Sequence, residues 1–367
     1  MRAAILTSPG EQLQIVDDLE APRPGYGQVV VRVAFSGVCH SQLMEALGLR
    51  GADPYLPHLL GHEGTGVVHD VGHGVTKVRS GDRVVLTWIR GDGIDAGGSS
   101  YRRQGGVVNA GPVTTFNEVA VVSENRVTRL PDGVPMDVGV LFGCALPTGA
   151  GAVMNTLAPK PGSTLVVFGL GGVGICAVAA ASRCDLRELI VVDVAPHKLE
   201  LARQFGATRL VDAGADDPVE AVRAITGGRG ADYAVEAAGS AATIERAFAS
   251  VRERGGRCVF ASHPPANQRI VLDPHDLIRG RQIEGTWGGG CQPDRDVPRF
   301  AALYLEHRLP FDLLLRDRYP LEQVNTALAD LHARRTARPL LVIDATSTEH
   351  PSGPDAGVGS SRIAVRP

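Results

Sequence analysis

The chain has 367 residues, 44% of them hydrophobic and 21% charged, with a formal net charge of −3. That length exceeds one typical domain and suggests two, with ample core to bury. The near-neutral balance gives no basic field for nucleic acid and no polybasic membrane patch, and no run of about 18 apolar residues reads as a membrane span.

The N-terminus enters a strand-like pattern at once, without a signal-peptide segment, so a cytoplasmic location is expected. Residues 1 to about 35 read as short strands broken by turns, with a clear strand over Val29–Ala34. Gly37-Val38-Cys39-His40-Ser41 follows, then a short helix from Gln42 to Leu47. Gly61-His62-Glu63-Gly64-Thr65-Gly66 leads into a strand at Val67–His69, and Arg83–Leu86 is another. The first 140 residues therefore predict a β-rich, partly open barrel. Residues 91–106 are glycine-rich and polar without periodicity, and are expected to form a long surface loop.

From about residue 147 the pattern changes to strands alternating with helices. Strands are predicted at 164–168, 189–193, 208–212, 232–236, 257–261 and 282–286, and helices at 198–205, 218–225 and 243–251. That alternation predicts right-handed βαβ units and a parallel sheet. A helix over Phe300–Glu306, another over Leu321–Leu331 and a final edge strand, Leu340–Ile343, complete the fold. The segment from 345 to 367 is rich in Ser, Thr, Gly and Pro and is expected to be disordered.

The central stretch is Thr164–Phe168 followed by Gly169-Leu170-Gly171-Gly172-Val173-Gly174. An apolar strand running into a G-x-G-x-x-G turn and a helix is the dinucleotide-binding pattern. Gly169 allows the tight turn, Gly171 lets the backbone approach a pyrophosphate, and Gly174 lets the helix pack on its strand. The next strand ends at Asp193, where such folds place the carboxylate that takes the ribose hydroxyls. A helix N-cap is the other reading of that residue. An acidic residue there favours NAD(H) over NADP(H).

The six cysteines, Cys39, Cys144, Cys176, Cys184, Cys258 and Cys291, are too scattered for a disulfide framework. Cys39 and His62 fall at strand ends in the β-rich region, and Cys144 at the entrance to the nucleotide fold. Two thiolates and an imidazole with a fourth position open make up a catalytic zinc site. Buried apolar cysteines and a turn histidine satisfy the same residues.

Five motifs together carry a resemblance over residues 1–344. They are Gly37–Ser41, Gly61–Val68, Gly81–Val84, Gly143-Cys144 with Pro147-Thr148-Gly149, and Gly169–Gly174. The chain resembles the zinc-dependent alcohol dehydrogenases of the medium-chain dehydrogenase/reductase superfamily. The resemblance implies an α/β architecture, a Rossmann doubly wound parallel sheet plus a β-rich GroES-like catalytic domain. Its implied limits are 1–147 for the first part of the catalytic domain, 148–288 for the nucleotide domain and 289–344 for the return.

By the same resemblance Cys39, His62 and Cys144 are zinc ligands, and Glu63 is the carboxylate that can exchange with water on the metal. Ser41 relays the substrate proton, and His40 is a phosphate-side basic residue. Thr148 lines the nicotinamide site, and the turn Gly169, Gly171, Gly172, Val173, Gly174 binds the cofactor at its pyrophosphate. Asp193 and Lys198 match the ribose site, and Arg338 a pyrophosphate contact. Trp88 and Phe116 are placed in the substrate pocket. The implied activity is hydride transfer between an alcohol and NAD(H) in a homodimer with small-molecule substrates and no nucleic acid or membrane partner.

Three departures stand out. Residues 89–115 hold no cysteine, so one catalytic zinc per subunit and no structural zinc are expected. Gln42 stands where relatives commonly have an aspartate supporting the zinc histidine, and Met44 stands where some carry a proton-relaying histidine. A zinc-free enoyl or quinone reductase, or a non-catalytic NAD-binding redox sensor, remain the alternative readings.

Overall fold

The structure is a computed structural model that describes residues 1–307 and 309–344, so the expectation for 345–367 lies outside the described residues. Ten strands occupy the N-terminal region: β1 (Ala3–Leu6), β2 (Gln14–Val16), β3 (Gln28–Gly37), β4 (His58–Leu59), β5 (Glu63–Val71), β6 (Arg83–Thr87), β7 (Ser100–Arg103), β8 (Gly106–Asn109), β9 (Val119–Ser123) and β10 (Val127–Arg129). They form a five-stranded sheet, β2-β1-β4-β8-β7, and most of a seven-stranded one built around β3. Strand β3 is covered on both faces. Val29, Val31 and Val33 enter one apolar core with Val84, Leu86 and Val122, while Val30 faces another with Ile5, Tyr101 and Val121. Two register shifts in the β3–β5 pairing bend the sheet toward closure. Helix α1 (His40–Ala46) follows β3 directly.

The chain then crosses helix α2 (Met136–Gly139), a 3₁₀ turn over Val140–Gly143, helix α3 (Ala145–Gly151) and a π-helical turn over Ala152–Leu157. Beyond it lies the parallel sheet: β11 (Thr164–Phe168), β12 (Glu188–Asp193), β13 (Arg209–Asp212), β14 (Tyr233–Glu236), β15 (Arg257–Phe260) and β16 (Gln282–Gly285), in the order β13-β12-β11-β14-β15-β16. Helices α4 (Gly172–Ala181), α5 (Pro196–Gln204), α6 (Pro218–Ile225), α7 (Ala241–Ser250) and α8 (Pro274–Ile278) connect its strands. The apolar runs that announced these strands are explained by burial on both faces. Leu165, Val167, Val191 and Val235 pack with α4, whereas Val166, Phe168, Ile190 and Ala234 pack with Val222 and Phe248. The strand order reverses between β11 and β14, which opens a crevice at their carboxyl ends.

The last part runs through α9 (Pro293–His307), β17 (Arg318–Pro320), α10 (Val324–His332) and β18 (Leu340–Val342). Strand β18 is a correction to the expected edge: it lies between β3 and β17, pairing Leu340 with Gly37 and with Arg318. Leu340 and Leu341 are fully buried, which an edge would not require. Residues 91–106 are corrected too. Part of that segment closes the β7–β8 hairpin through Gln104 and Gly105, both with positive φ, as a tight hairpin turn demands. The Tyr101 hydroxyl, receiving the Val121 N–H at 2.8 Å, fastens the hairpin to β9. Helix α9 begins before the predicted Phe300. At its first turn the Asp296 carboxylate accepts the Gln292 N–H and the Gln292 side-chain oxygen accepts the Arg295 N–H, and Pro298 is taken into the helix. Among the described residues no single helix is long and apolar enough to cross a membrane.

Candidate active site

Three connections deliver the chemistry-bearing side chains. Cys39 sits just beyond β3 as the N-cap of α1, His62 in the turn before β5, and Cys144 between the 3₁₀ turn and α3. Their ligand atoms all lie within 4.8 Å of one another. Close backbone approach makes this possible: a Cβ on Gly37 would stand 2.0 Å from a Glu63 carboxylate oxygen, and one on Gly143 would stand 2.4 Å from the Leu86 carbonyl.

His62 Nε2 is buried without a partner, an orphan nitrogen aimed at the two sulfurs' cluster. Its Nδ1 meets the side-chain amide of Gln42, whose carbonyl oxygen accepts the Cys39 N–H at 2.9 Å. Gln42 is itself buried and thereby ties one candidate ligand to another. The Cys144 thiol hydrogen-bonds the Cys39 sulfur, which holds Cys39 well below the ordinary thiol range and lifts Cys144 well above it. Burial opposes ionisation of Cys39, and the Arg338 charge supports it. The pairing thus favours a thiolate on Cys39 and a thiol on Cys144, whose proton a bound cation would displace.

Behind the cluster, Glu63 and Arg338 form an ion pair with both side chains inside the protein. Burial raises the Glu63 carboxyl, against the pull of Arg338. Burial would lower Arg338, but Glu63, Cys39 and Cys144 around it hold its pKa above the usual value. Arg338 also flanks the glycine turn, where a Cβ on Gly172 would lie 2.9 Å from its Cδ. One guanidinium therefore borders both the metal-type cluster and the expected pyrophosphate position.

The crevice at the strand switch holds a cleft of about 480 Å³ bordered by His40, Ser41, the turn Gly169–Val173, Asp193, Lys198 and Arg338. Gly171 lies open to it, with nothing within 4 Å of an added Cβ, whereas a Cβ on Gly174 would lie 1.8 Å from the Gly169 carbonyl. Asp193 accepts the Leu170 N–H at 2.7 Å and the Ala195 N–H at 3.0 Å, one on each oxygen. It therefore braces the turn and retains lone pairs toward the cleft, while Ala195 takes the N-cap position of α5. Burial lowers the Lys198 ammonium, and Asp193 works the other way. Burial likewise keeps His40 below its ordinary value.

A second cleft, about 660 Å³, joins this one at Cys39, Ser41, Val173 and His263. Ser41 Oγ lies 3.5 Å from His62 Nδ1, and the Thr148 hydroxyl is buried with no partner. Trp88 lines this cleft. Phe116 does not: it is fully buried in the β-region core beneath Gly61, where a Cβ would touch its ring and its backbone nitrogen at 2.8 Å. The second aromatic wall is instead Trp287, edge-to-face with Trp88 at 4.9 Å and with His263 at 5.7 Å. Trp287 and His263 escaped the sequence reading, as did Thr243 and Arg246 on the cofactor side. All four lie beyond the carboxyl ends of parallel strands, the rule that could have found them.

The chain matches the family model for the alcohol dehydrogenase GroES-like domain over residues 25–132 and that for the zinc-binding dehydrogenase over residues 172–306. It is 33% identical to putative alcohol dehydrogenase D of Mycobacterium tuberculosis, across 93% of this chain and 99% of the relative. Among solved structures it is similar to an alcohol dehydrogenase zinc-binding domain protein from Burkholderia ambifaria, with a TM-score of 0.84, 33% identity, and coverage of 93% and 98% of the two chains. A benzyl alcohol dehydrogenase from Acinetobacter calcoaceticus gives the same TM-score of 0.84 at 29% identity, covering 93% and 99%.

Proposed function

The chain belongs to the zinc-binding alcohol dehydrogenase family of the medium-chain superfamily, and on that premise we propose that it interconverts an alcohol with its aldehyde or ketone using NAD(H) and one zinc ion. The observation that carries the reading is the meeting of Cys39, His62 and Cys144 where the glycine-turn cleft opens into the aromatic cleft. The donor set fits the metal: two cysteine sulfurs and an orphan imidazole nitrogen lie within 4.8 Å of one another and would hold zinc by three protein ligands. Bound there, zinc would supply Lewis acidity to an alcohol or carbonyl oxygen.

The chain's own residues do the rest. Trp88 and Trp287, packed edge to face, offer the carbon skeleton an aromatic wall on one side of the cleft. Ser41 Oγ, at the junction of the two clefts, takes the substrate hydroxyl proton and passes on its own toward His40 and solvent. The unpartnered Thr148 hydroxyl is placed to bond the nicotinamide, and the open Gly171 to receive the pyrophosphate. Asp193 is suited to the two ribose hydroxyls and repels a 2′-phosphate.

We place the catalytic domain at 1–147 and 289–344 and the nucleotide domain at 148–288. A cytoplasmic homodimer is proposed. Its supports are the free cysteines and the edge strand β16 with exposed Val271, Leu277 and Ile278 close by. The test is NADH formation from NAD with a series of primary, secondary and benzylic alcohols on the zinc-loaded protein. Alcohol-dependent NADH formation supports the reading. Reduction of enones or quinones without any alcohol oxidation overturns it.

A further inference from the structure

The mouth of the aromatic cleft carries a second cluster that the proposed reaction does not use. Glu45 on α1 and Asp53 and His58 at the entry to β4 bring one donor atom each within 4.8 Å of one another. His58 Nε2 stands 2.8 Å from Asp53 Oδ2 and 3.8 Å from Glu45 Oε1. The ring is 7% exposed, and its other nitrogen, Nδ1, lies 2.9 Å from the Leu59 carbonyl oxygen. A carbonyl only accepts, so Nδ1 donates to it, and Nε2 faces the two carboxylates. Two carboxylates converging beside that ring nitrogen call for a positive charge between them, either a proton on Nε2 or a bound cation.

The outer oxygens of both carboxylates are already engaged. The Tyr55 N–H donates to Asp53 Oδ1 at 2.9 Å, and Arg50 Nη1 stands 3.5 Å from Glu45 Oε2. Each carboxylate is thus held from outside with its free oxygen directed inward, and the imidazole is held by a backbone carbonyl. Such outer partners are what orient the ligands of a bound metal. Arg50 opposes a cation from the outer side, and the two carboxylates outweigh its single charge.

We propose that Glu45, Asp53 and His58 form a divalent-cation site separate from the Cys39–His62–Cys144 set. Imidazole and carboxylate donors without sulfur suit a hard or borderline ion such as Mn²⁺. Separations of 2.8 and 3.8 Å bracket the roughly 3.0–3.4 Å between ligands that bonds of about 2.1 Å require. Glu45 and His58 line the aromatic cleft together with Asn109, so the cluster is reached from that side. The competing occupant is a second proton on His58, giving an imidazolium paired with Asp53.

Titrating Mn²⁺ into the zinc-loaded protein, followed by electron paramagnetic resonance and calorimetry, separates the two. One saturable Mn²⁺ per subunit is expected, weakened at least tenfold by Asp53→Asn and by Glu45→Gln and unchanged in Cys144→Ser. Both carboxylates are partly exposed, so neither variant threatens the fold, and a thermal melt checks that. No saturable binding, binding undiminished in both carboxylate variants, or binding lost with Cys144 overturns the proposal.

Discussion

Two neighbouring glycines separate folding from cofactor binding. A Cβ on Gly174 meets the Gly169 carbonyl oxygen at 1.8 Å, whereas a Cβ on Gly171 finds nothing within 4 Å. Packed non-bonded heavy atoms keep about 3.5 Å apart, so Gly174→Ala demands a shift well beyond 1 Å in the turn or in α4. Ala177 and Ile175 are fully buried there and leave no room for it. Overpacking of this kind costs about 3 kcal/mol, the upper end of the usual range. For a domain of this size that lowers Tm by roughly 6–12 °C.

Gly171 has φ −79 and ψ −169, extended backbone open to any residue, so Gly171→Ala changes stability by less than about 0.5 kcal/mol. Its methyl group instead stands where the pyrophosphate must approach. The Kd for NADH is expected to rise at least tenfold, about 1.4 kcal/mol. Thermal unfolding without cofactor and NADH fluorescence titration read the two effects. Wild-type NADH affinity in Gly171→Ala, or a wild-type melting point in Gly174→Ala, would refute the reasoning.

Three more outcomes follow from the geometry. Ser41→Ala lowers kcat about 10²–10³-fold while zinc content stays at the wild-type level, measured by steady-state kinetics beside metal analysis. Arg338→Met strands the buried Glu63 carboxylate and costs about 3–5 kcal/mol in urea unfolding, of which adding Glu63→Gln restores a large part. Burial acts against ionised Asp232, but the Thr164 N–H at 2.9 Å and the Arg252 guanidinium at 2.6 Å hold its carboxyl below the usual value. A depressed folded pKa stabilises above the unfolded value, about 3.9, and that contribution is lost as pH falls through the folded one. Asp232→Asn therefore costs about 1 kcal/mol at neutral pH, discounted because Arg252 is 37% exposed, and the difference between urea midpoints fades below about pH 4.

The parallel sheet was legible because its strands are buried on both faces and read as unbroken apolar runs, from Leu165–Phe168 to Leu189–Val192. The glycine turn was legible because each glycine answers a distinct local constraint. Strand β18 was harder. Its place between β3 and β17 rests on pairing with residues some 300 positions earlier, which Leu340–Val342 does not encode locally. The β7–β8 hairpin hid behind Gln104, an unusual residue for positive φ. Phe116 is expected in the pocket and Trp287 goes unassigned for a similar reason: both are aromatic, and only the tertiary fold decides which is buried under Gly61 and which faces the cleft. Cys39, His62 and Cys144 were found by motif resemblance, since no spacing rule joins residues so distant. Gln42, which stands where relatives commonly have an aspartate, takes a definite place bridging the Cys39 backbone and the His62 ring.

The most direct test of the central claim is the metal content of protein purified without added zinc, with Cys144→Ser run in parallel and alcohol-dependent NADH formation measured on both. One zinc per subunit that survives dialysis is expected in the wild type, lost from the variant together with activity. Alcohol oxidation by a wild-type protein that holds no zinc, or zinc and activity both retained without the Cys144 thiol, would contradict it.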